Sequence, residues 1–290
     1  KASNSLHSPV SYSFQTNGLH IDDSWAMFFS RHDFLVGVSI DGIAAVHDAV
    51  RTAPGGGANH AAVLESLRCL RRFHVKFNTL SVVTKQLAQN IQASYELLKQ
   101  EGVTFQQYIP CMEPLETHGK RPDYSLTPKM YGKFLHRLFS LWKSDLMKGR
   151  YISIRHFDNW MGIALGRAPE SCNMRGICSP QFVVESDGSV YPCDFYCLDE
   201  WLLGNVRALS FEEMLGRSWA LGFIDRSVAF IPEECRQCPW YSLCRNGCPR
   251  DRDSSGKTRY CDAHRVFFGL HARDISEAAR LIIAKDLQVN

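Results

Sequence analysis

Eleven cysteines are spread so unevenly that they constrain the fold more than any other feature of this chain. Nine lie between Cys172 and Cys261, whereas the first 171 residues hold only Cys69 and Cys111. An odd count gathered at one end of a 290-residue chain does not read as the disulfide framework of a small secreted domain. In a reducing compartment such a cluster reads as a set of metal ligands. The spacings are Cys172-x5-Cys178, fourteen residues to Cys193, and then, after a long gap, Cys235-x2-Cys238-x5-Cys244-x3-Cys248-x12-Cys261. Cys-x2-Cys lets two thiolates of one tight turn reach one metal. Eight thiolates make two four-cysteine sites, and both zinc and iron–sulfur clusters accept four thiolates. Spacing does not say which four share a site. Cys197 is left over, as a packed or free thiol.

The preceding part alternates apolar β-type runs with amphipathic stretches. Strands are expected at 10–16, 34–40, 75–83, 103–109 and 151–157. Helices are expected through Trp25, Phe28 and Phe29, over 60–73, over 91–100, and from Pro128 onward, where proline suits a first helical residue. Asp22 or Asp23 is a candidate cap for the first of these. Repeated β–α units predict an α/β fold with a parallel sheet, either an open sheet or a partial barrel. Its strands are expected to be buried on both faces, with the site at their C-terminal ends. Those ends carry Gln15-Thr16-Asn17-Gly18, Ser39-Ile40-Asp41-Gly42 and Gln107-Tyr108-Ile109-Pro110. Asn-Gly and Asp-Gly are also plain turn residues. The glycine-rich loop 52–57 lacks the register of a phosphate loop. From about Pro169 the composition shifts to Cys, Pro, Gly and Arg, which sets a domain boundary. A net charge of +3 is too weak to imply nucleic acid. No stretch is apolar and long enough to span a bilayer, and residues 1–5 have no apolar signal core. A cytoplasmic protein is expected.

Within the cysteine-rich part, Gly188 marks a hairpin turn between 182–184 and 190–191. That hairpin delivers Cys193 to a fixed point. Asp194 follows directly, either as a solvated bystander or as a base beside a buried site.

The spacing Cys178-x9-Gly188-x4-Cys193, with the later Cys-x2-Cys-x5-Cys-x3-Cys-x12-Cys, resembles the SPASM domain of radical S-adenosyl-L-methionine enzymes. The stretches 14–18, 34–42, 77–83, 108–110 and 191–195 are most similar to anaerobic sulfatase-maturating enzymes. The resemblance implies a partial (β/α)6 TIM-like barrel missing its first β–α unit over 1–168. A small SPASM domain over 169–265 and a C-terminal helix over 266–290 would follow. It implies two auxiliary 4Fe–4S clusters, one on Cys172, Cys178, Cys193 and Cys248, the other on Cys235, Cys238, Cys244 and Cys261. Asp194 would be the catalytic base and Gln15 would lie near substrate. Gly18, Ser81 and Leu126 would contact S-adenosyl-L-methionine, and Ser39 and Asp41 would line the site.

The family's Cys-x3-Cys-x2-Cys motif, which holds the cluster that cleaves S-adenosyl-L-methionine, does not occur in the chain. In a full-length relative it would precede Val10, so the chain is expected to be a fragment, inactive alone, whose full-length form carries a third 4Fe–4S cluster. The implied chemistry is oxidation of a Cys or Ser on a sulfatase polypeptide to Cα-formylglycine, fed by an electron donor such as flavodoxin or ferredoxin. The resemblance implies no nucleic acid or membrane partner. Two other readings stand beside it: a different SPASM enzyme acting on another peptide, and a non-catalytic Cys-rich metal-binding module.

Overall fold

The computed structural model describes residues 9–53, 55–113, 122–229 and 231–289, without the side chains of 220 and 285–289. It resolves into two compact units, Lys1–Asp158 and Asn159–Asn290. The first unit carries β1 (Tyr12–Thr16), α1 (Asp23–Arg31), β2 (Phe34–Ser39), α2 (Ala44–Val50), α3 (His60–Arg72), β3 (Lys76–Val83), α4 (Lys85–Gln89), α5 (Ile91–Gln100), β4 (Phe105–Pro110), α6 (Pro128–Met147) and β5 (Ser153–Ile154). The five strands are parallel and ordered β1-β2-β3-β4-β5. Sequential parallel order follows from helical crossovers that return each strand to the same side of the last.

Local signals set most of these boundaries. Asp22 caps α1, its Oδ1 accepting the Trp25 N–H at 2.9 Å. Thr127 caps α6 at 3.3 Å, with Pro128 behind it. Strand β5 departs from the expected 151–157. It is two residues long because Arg155 already opens a helix, α7 (Arg155–Ala164). The helix wins because Phe157 and Trp160, three apart, are both buried.

One face of the sheet is apolar. Val36, Val38 and Ile40 pack there against Ala26, Phe29, Val63, Leu67 and Leu70. The opposite face is not the buried apolar surface expected from the strand compositions. Register sets Gln15 beside Gly37 and Gly37 beside Asn78, while Ser39 pairs with Leu80 and Leu80 with Gln107. Strands alternate side chains, so Gln15, Ser39, Asn78 and Gln107 share that second face.

The second unit builds a three-stranded antiparallel sheet from β6 (Val183–Val184), β7 (Ser189–Tyr191) and β8 (Gly204–Asn205). Five helices follow: α8 (Phe211–Ala220), α9 (Arg226–Ala229), α10 (Glu233–Arg236), α11 (Tyr241–Cys244) and α12 (Cys261–Val289). A small core of Val190, Leu203 and Met214 backs the sheet. Trp160 packs against Phe267 and edge-on against Phe268 of α12, at 5.0 and 5.1 Å between ring centroids. No helix among the described residues is long and apolar enough to cross a membrane.

Candidate functional site

In the first unit the strand ends are held by a buried polar network. The Asp41 carboxylate accepts the Val82 N–H at 2.7 Å and the Arg51 Nε–H at 2.6 Å, which ties the end of β2 to β3. The Asp41 N–H donates to His47 Nδ1 at 3.1 Å, so that nitrogen carries no proton. His47 Nε2–H therefore donates to Asn59 Oδ1, 2.7 Å away. Ser81 donates to the Ile40 carbonyl at 2.5 Å. Gly18, at φ +78°, lies against Val38 and Val63, and its carbonyl accepts from Ser66. Gly18 and Ser81 thus meet the segment 38–40 from neighbouring strands. Gln15 is exposed on the edge strand. Leu126 is buried, just before the cap of α6. The Asn78 Oδ1 on the polar face is buried with no hydrogen-bond partner among the described residues.

Gly42 cannot be replaced cheaply. Its φ is +72°, and an added Cβ would sit 2.1 Å from Ser94 Oγ and 2.6 Å from Ser94 Cβ. Gly42→Ala is expected to cost about 2–6 kcal/mol from backbone strain plus overpacking, read as a drop in the urea midpoint. An unchanged midpoint would contradict this.

Burial holds His47 below the ordinary imidazole value, and burial with the neighbouring Arg155 holds His156 down at about 4. The unfolded chain protonates both near 6.5, so it binds more protons than the fold as pH drops below that value. Stability from these two groups is therefore complete above about pH 6.5 and lost as pH falls toward 4. A variant carrying His47→Gln and His156→Gln is expected to show a flatter urea midpoint between pH 7 and pH 5 than the wild type.

The nine cysteines of the second unit are all free thiols, none spent in a disulfide. The hairpin delivers Cys193 as follows. Gly188, at φ +89°, closes the turn, and an added Cβ would fall 2.9 Å from Asn205 Oδ1. The strand then runs through Tyr191 to Pro192 and Cys193.

Electrostatic coupling sorts the eight thiols. Cys178 is coupled to Cys172, Cys248 to both, and Cys193 to Cys248. Separately, Cys235 is coupled to Cys261 and Cys238, Cys244 to these three, and Cys261 to Cys238. Burial pushes Cys193 and Cys248 up to about 12 and Cys244 up to about 11. These thiols stay protonated at neutral pH until a metal cation displaces the proton. Among the described residues no three Cys, His, Asp or Glu side chains gather tightly enough for one metal ion. Eight cysteine thiols are the donor set that iron–sulfur clusters take.

Asp194 opens a short turn over Asp194–Tyr196 and is exposed. Its Oδ1 accepts the Phe195 N–H at 3.1 Å and faces the Cys193 Sγ at 3.3 Å. Its Oδ2 has no donor among the described residues. Cys197 Sγ lies 3.7 Å from the Cys193 carbonyl and packs in the same turn.

The SPASM family, described as an iron–sulfur cluster-binding domain, matches residues 172–239. A cysteine-type anaerobic sulfatase-maturating enzyme of Clostridium novyi (strain NT) is 38% identical over 287 residues, spanning 97% of this chain and 76% of that protein. The chain belongs to the anaerobic sulfatase-maturating enzymes. A second cysteine-type maturating enzyme, from Clostridium perfringens (strain 13 / Type A), is 41% identical over 261 residues, covering 88% of this chain and 70% of that one. Native anSMEcpe with bound AdoMet and Kp18Cys peptide superposes with a TM-score of 0.91 at 39% identity, covering 96% of this chain and 78% of that chain. This maturating enzyme is therefore a radical S-adenosyl-L-methionine enzyme, with the parallel α/β sheet and SPASM domain of its family.

The sequence pointed to Asp41 as a site-lining residue but not to the network it forms with Arg51, His47 and Asn59. Its one visible signal was Asp41-Gly42 at a strand end, which a turn explains equally well.

Proposed function

We propose that this maturating enzyme oxidises a cysteine side chain of a sulfatase polypeptide to Cα-formylglycine in the cytoplasm. We propose further that Cys172, Cys178, Cys193 and Cys248 hold one 4Fe–4S cluster, and Cys235, Cys238, Cys244 and Cys261 another. The observation that carries this is the sorting of eight thiols into two groups of four, with an exposed carboxylate directly after one of them. When bound, the clusters and S-adenosyl-L-methionine supply the one-electron and radical chemistry that side chains lack.

The chain's own groups then have defined tasks. Asp194 takes the proton from the substrate thiol. With Cys193 deprotonated as a ligand, Oδ1 is held by the Phe195 N–H alone, and Oδ2 is open toward substrate. Gln15, on the polar face of the sheet, supplies an amide to the peptide backbone. Gly18, Ser81 and Leu126 shape the S-adenosyl-L-methionine pocket. Removal of one hydrogen atom, one proton and one electron leaves a thioaldehyde, which water converts to the aldehyde with release of sulfide. A low-potential protein such as flavodoxin or ferredoxin supplies electrons. A cysteine target is favoured because the relatives at 38% and 41% identity are both of cysteine type.

The test is mass spectrometry of a peptide containing Cys-x-Pro-x-Arg, incubated anaerobically with the full-length enzyme, reductant and S-adenosyl-L-methionine. Conversion of the cysteine to an aldehyde is expected. An unmodified peptide in the presence of loaded clusters would refute the activity.

A further inference from the structure

Arg226 belongs to none of the motifs above, yet it is lodged among three aromatic rings. Its guanidinium carbon lies 3.7 Å from the ring centre of Tyr196, 4.5 Å from Trp201 and 4.8 Å from Phe223. The Nε and Nη2 nitrogens are buried, and neither has a hydrogen-bond partner among the described residues. Aromatic faces attract the charge but accept no ordinary hydrogen bond, and buried donors left unpaired are costly.

Two cysteine-bearing segments bracket this guanidinium. The next residue, Ser227, accepts the Cys178 N–H through its hydroxyl at 3.0 Å. Tyr196, the nearest ring, is held by its own N–H to the Cys193 carbonyl at 2.9 Å. Arg252, which also reaches Ser227, behaves differently. It donates to the carbonyls of Asn246, Gly247 and Ser227 at 3.2, 3.3 and 2.8 Å. Arg226 keeps bare donors beside the segments that carry Cys178 and Cys193.

We infer that Arg226 sets the reduction potential of the cluster on Cys172, Cys178, Cys193 and Cys248, an inference that rests on the ligation proposed above. Its N–H groups donate to the cluster's sulfurs, and its charge faces an anionic site. Gaining an electron adds negative charge to that site, so a fixed cation favours the reduced form and raises the potential. The cluster becomes a better acceptor for the electron left on the substrate after Asp194 has taken its proton. Arg226 is a positioning residue, since it acts through the cluster rather than on substrate.

The experiment is an anaerobic redox titration followed by electron paramagnetic resonance, on the full-length enzyme reconstituted with ferrous iron and sulfide. Arg226→Gln is expected to keep its iron and sulfide. One midpoint should move negative by at least tenfold in the reduction equilibrium, ~59 mV for a one-electron couple, with the others unmoved. Arg226→Lys retains the charge and should stay with the wild type. Unchanged midpoints in Arg226→Gln, or equal shifts in both variants, would overturn the inference. So would loss of iron from Arg226→Gln, which would make the residue a structural post. A wild type loading only one cluster's worth of iron would refute the ligation itself, and this inference with it.

Discussion

Asp194→Asn is expected to lower formylglycine formation by about 10²–10⁴-fold, the usual worth of a general base. The change is nearly isosteric. An asparagine Oδ1 still accepts the Phe195 N–H that anchors the carboxylate at 3.1 Å, so the turn beside Cys193 should survive. What disappears is the basic second oxygen. Iron and sulfide content should therefore stay at the wild-type level, and 5′-deoxyadenosine should still form without matching product. Product formation at the wild-type rate would remove Asp194 from the chemistry. Loss of iron in this variant would instead make it a support for Cys193.

Cys248→Ser is expected to lower the iron of the two auxiliary sites from about eight atoms per chain to about four, one cluster's worth. Cys248 stands 55 residues after Cys193 and only four after Cys244, yet its thiol is coupled to Cys178 and Cys172. Proximity in sequence and proximity in space thus predict different partners. Paired substitutions separate them. Cys193→Ser combined with Cys248→Ser should lose no more iron than Cys248→Ser alone, because both empty one site. Cys193→Ser combined with Cys244→Ser should lose nearly all of it. The reverse pattern, read by iron and sulfide analysis, would overturn the grouping.

Which parts of the molecule were legible beforehand follows from where the information sits. Caps, turn glycines and helix periodicity are local, so α1 and α6 begin where Asp22 and Thr127 place them. The β5 segment was misjudged because Tyr151 to Phe157 suits a strand by composition. Packing of Phe157 and Trp160 takes its last three residues into helix. The polar face of the sheet was equally hidden. Gln15, Ser39, Asn78 and Gln107 are scattered along the chain, and only strand register lines them up.

The cysteine count, their clustering and the Cys-x2-Cys spacing pointed by themselves to a C-terminal part with thiols enough for two four-cysteine sites. Thiolate number and turn geometry are local properties, so no tertiary information was needed. Which thiols stand together, and what stands beside them, only the tertiary structure decided. The hairpin closed at Gly188 carries Cys193 to its place, and the thiol of Cys248 lies among those of Cys172 and Cys178 rather than with that of nearby Cys244. Arg226 comes to rest among Tyr196, Trp201 and Phe223. The physical reason is that burial and Coulomb coupling depend on distance in space, and the chain brings these residues together only by folding.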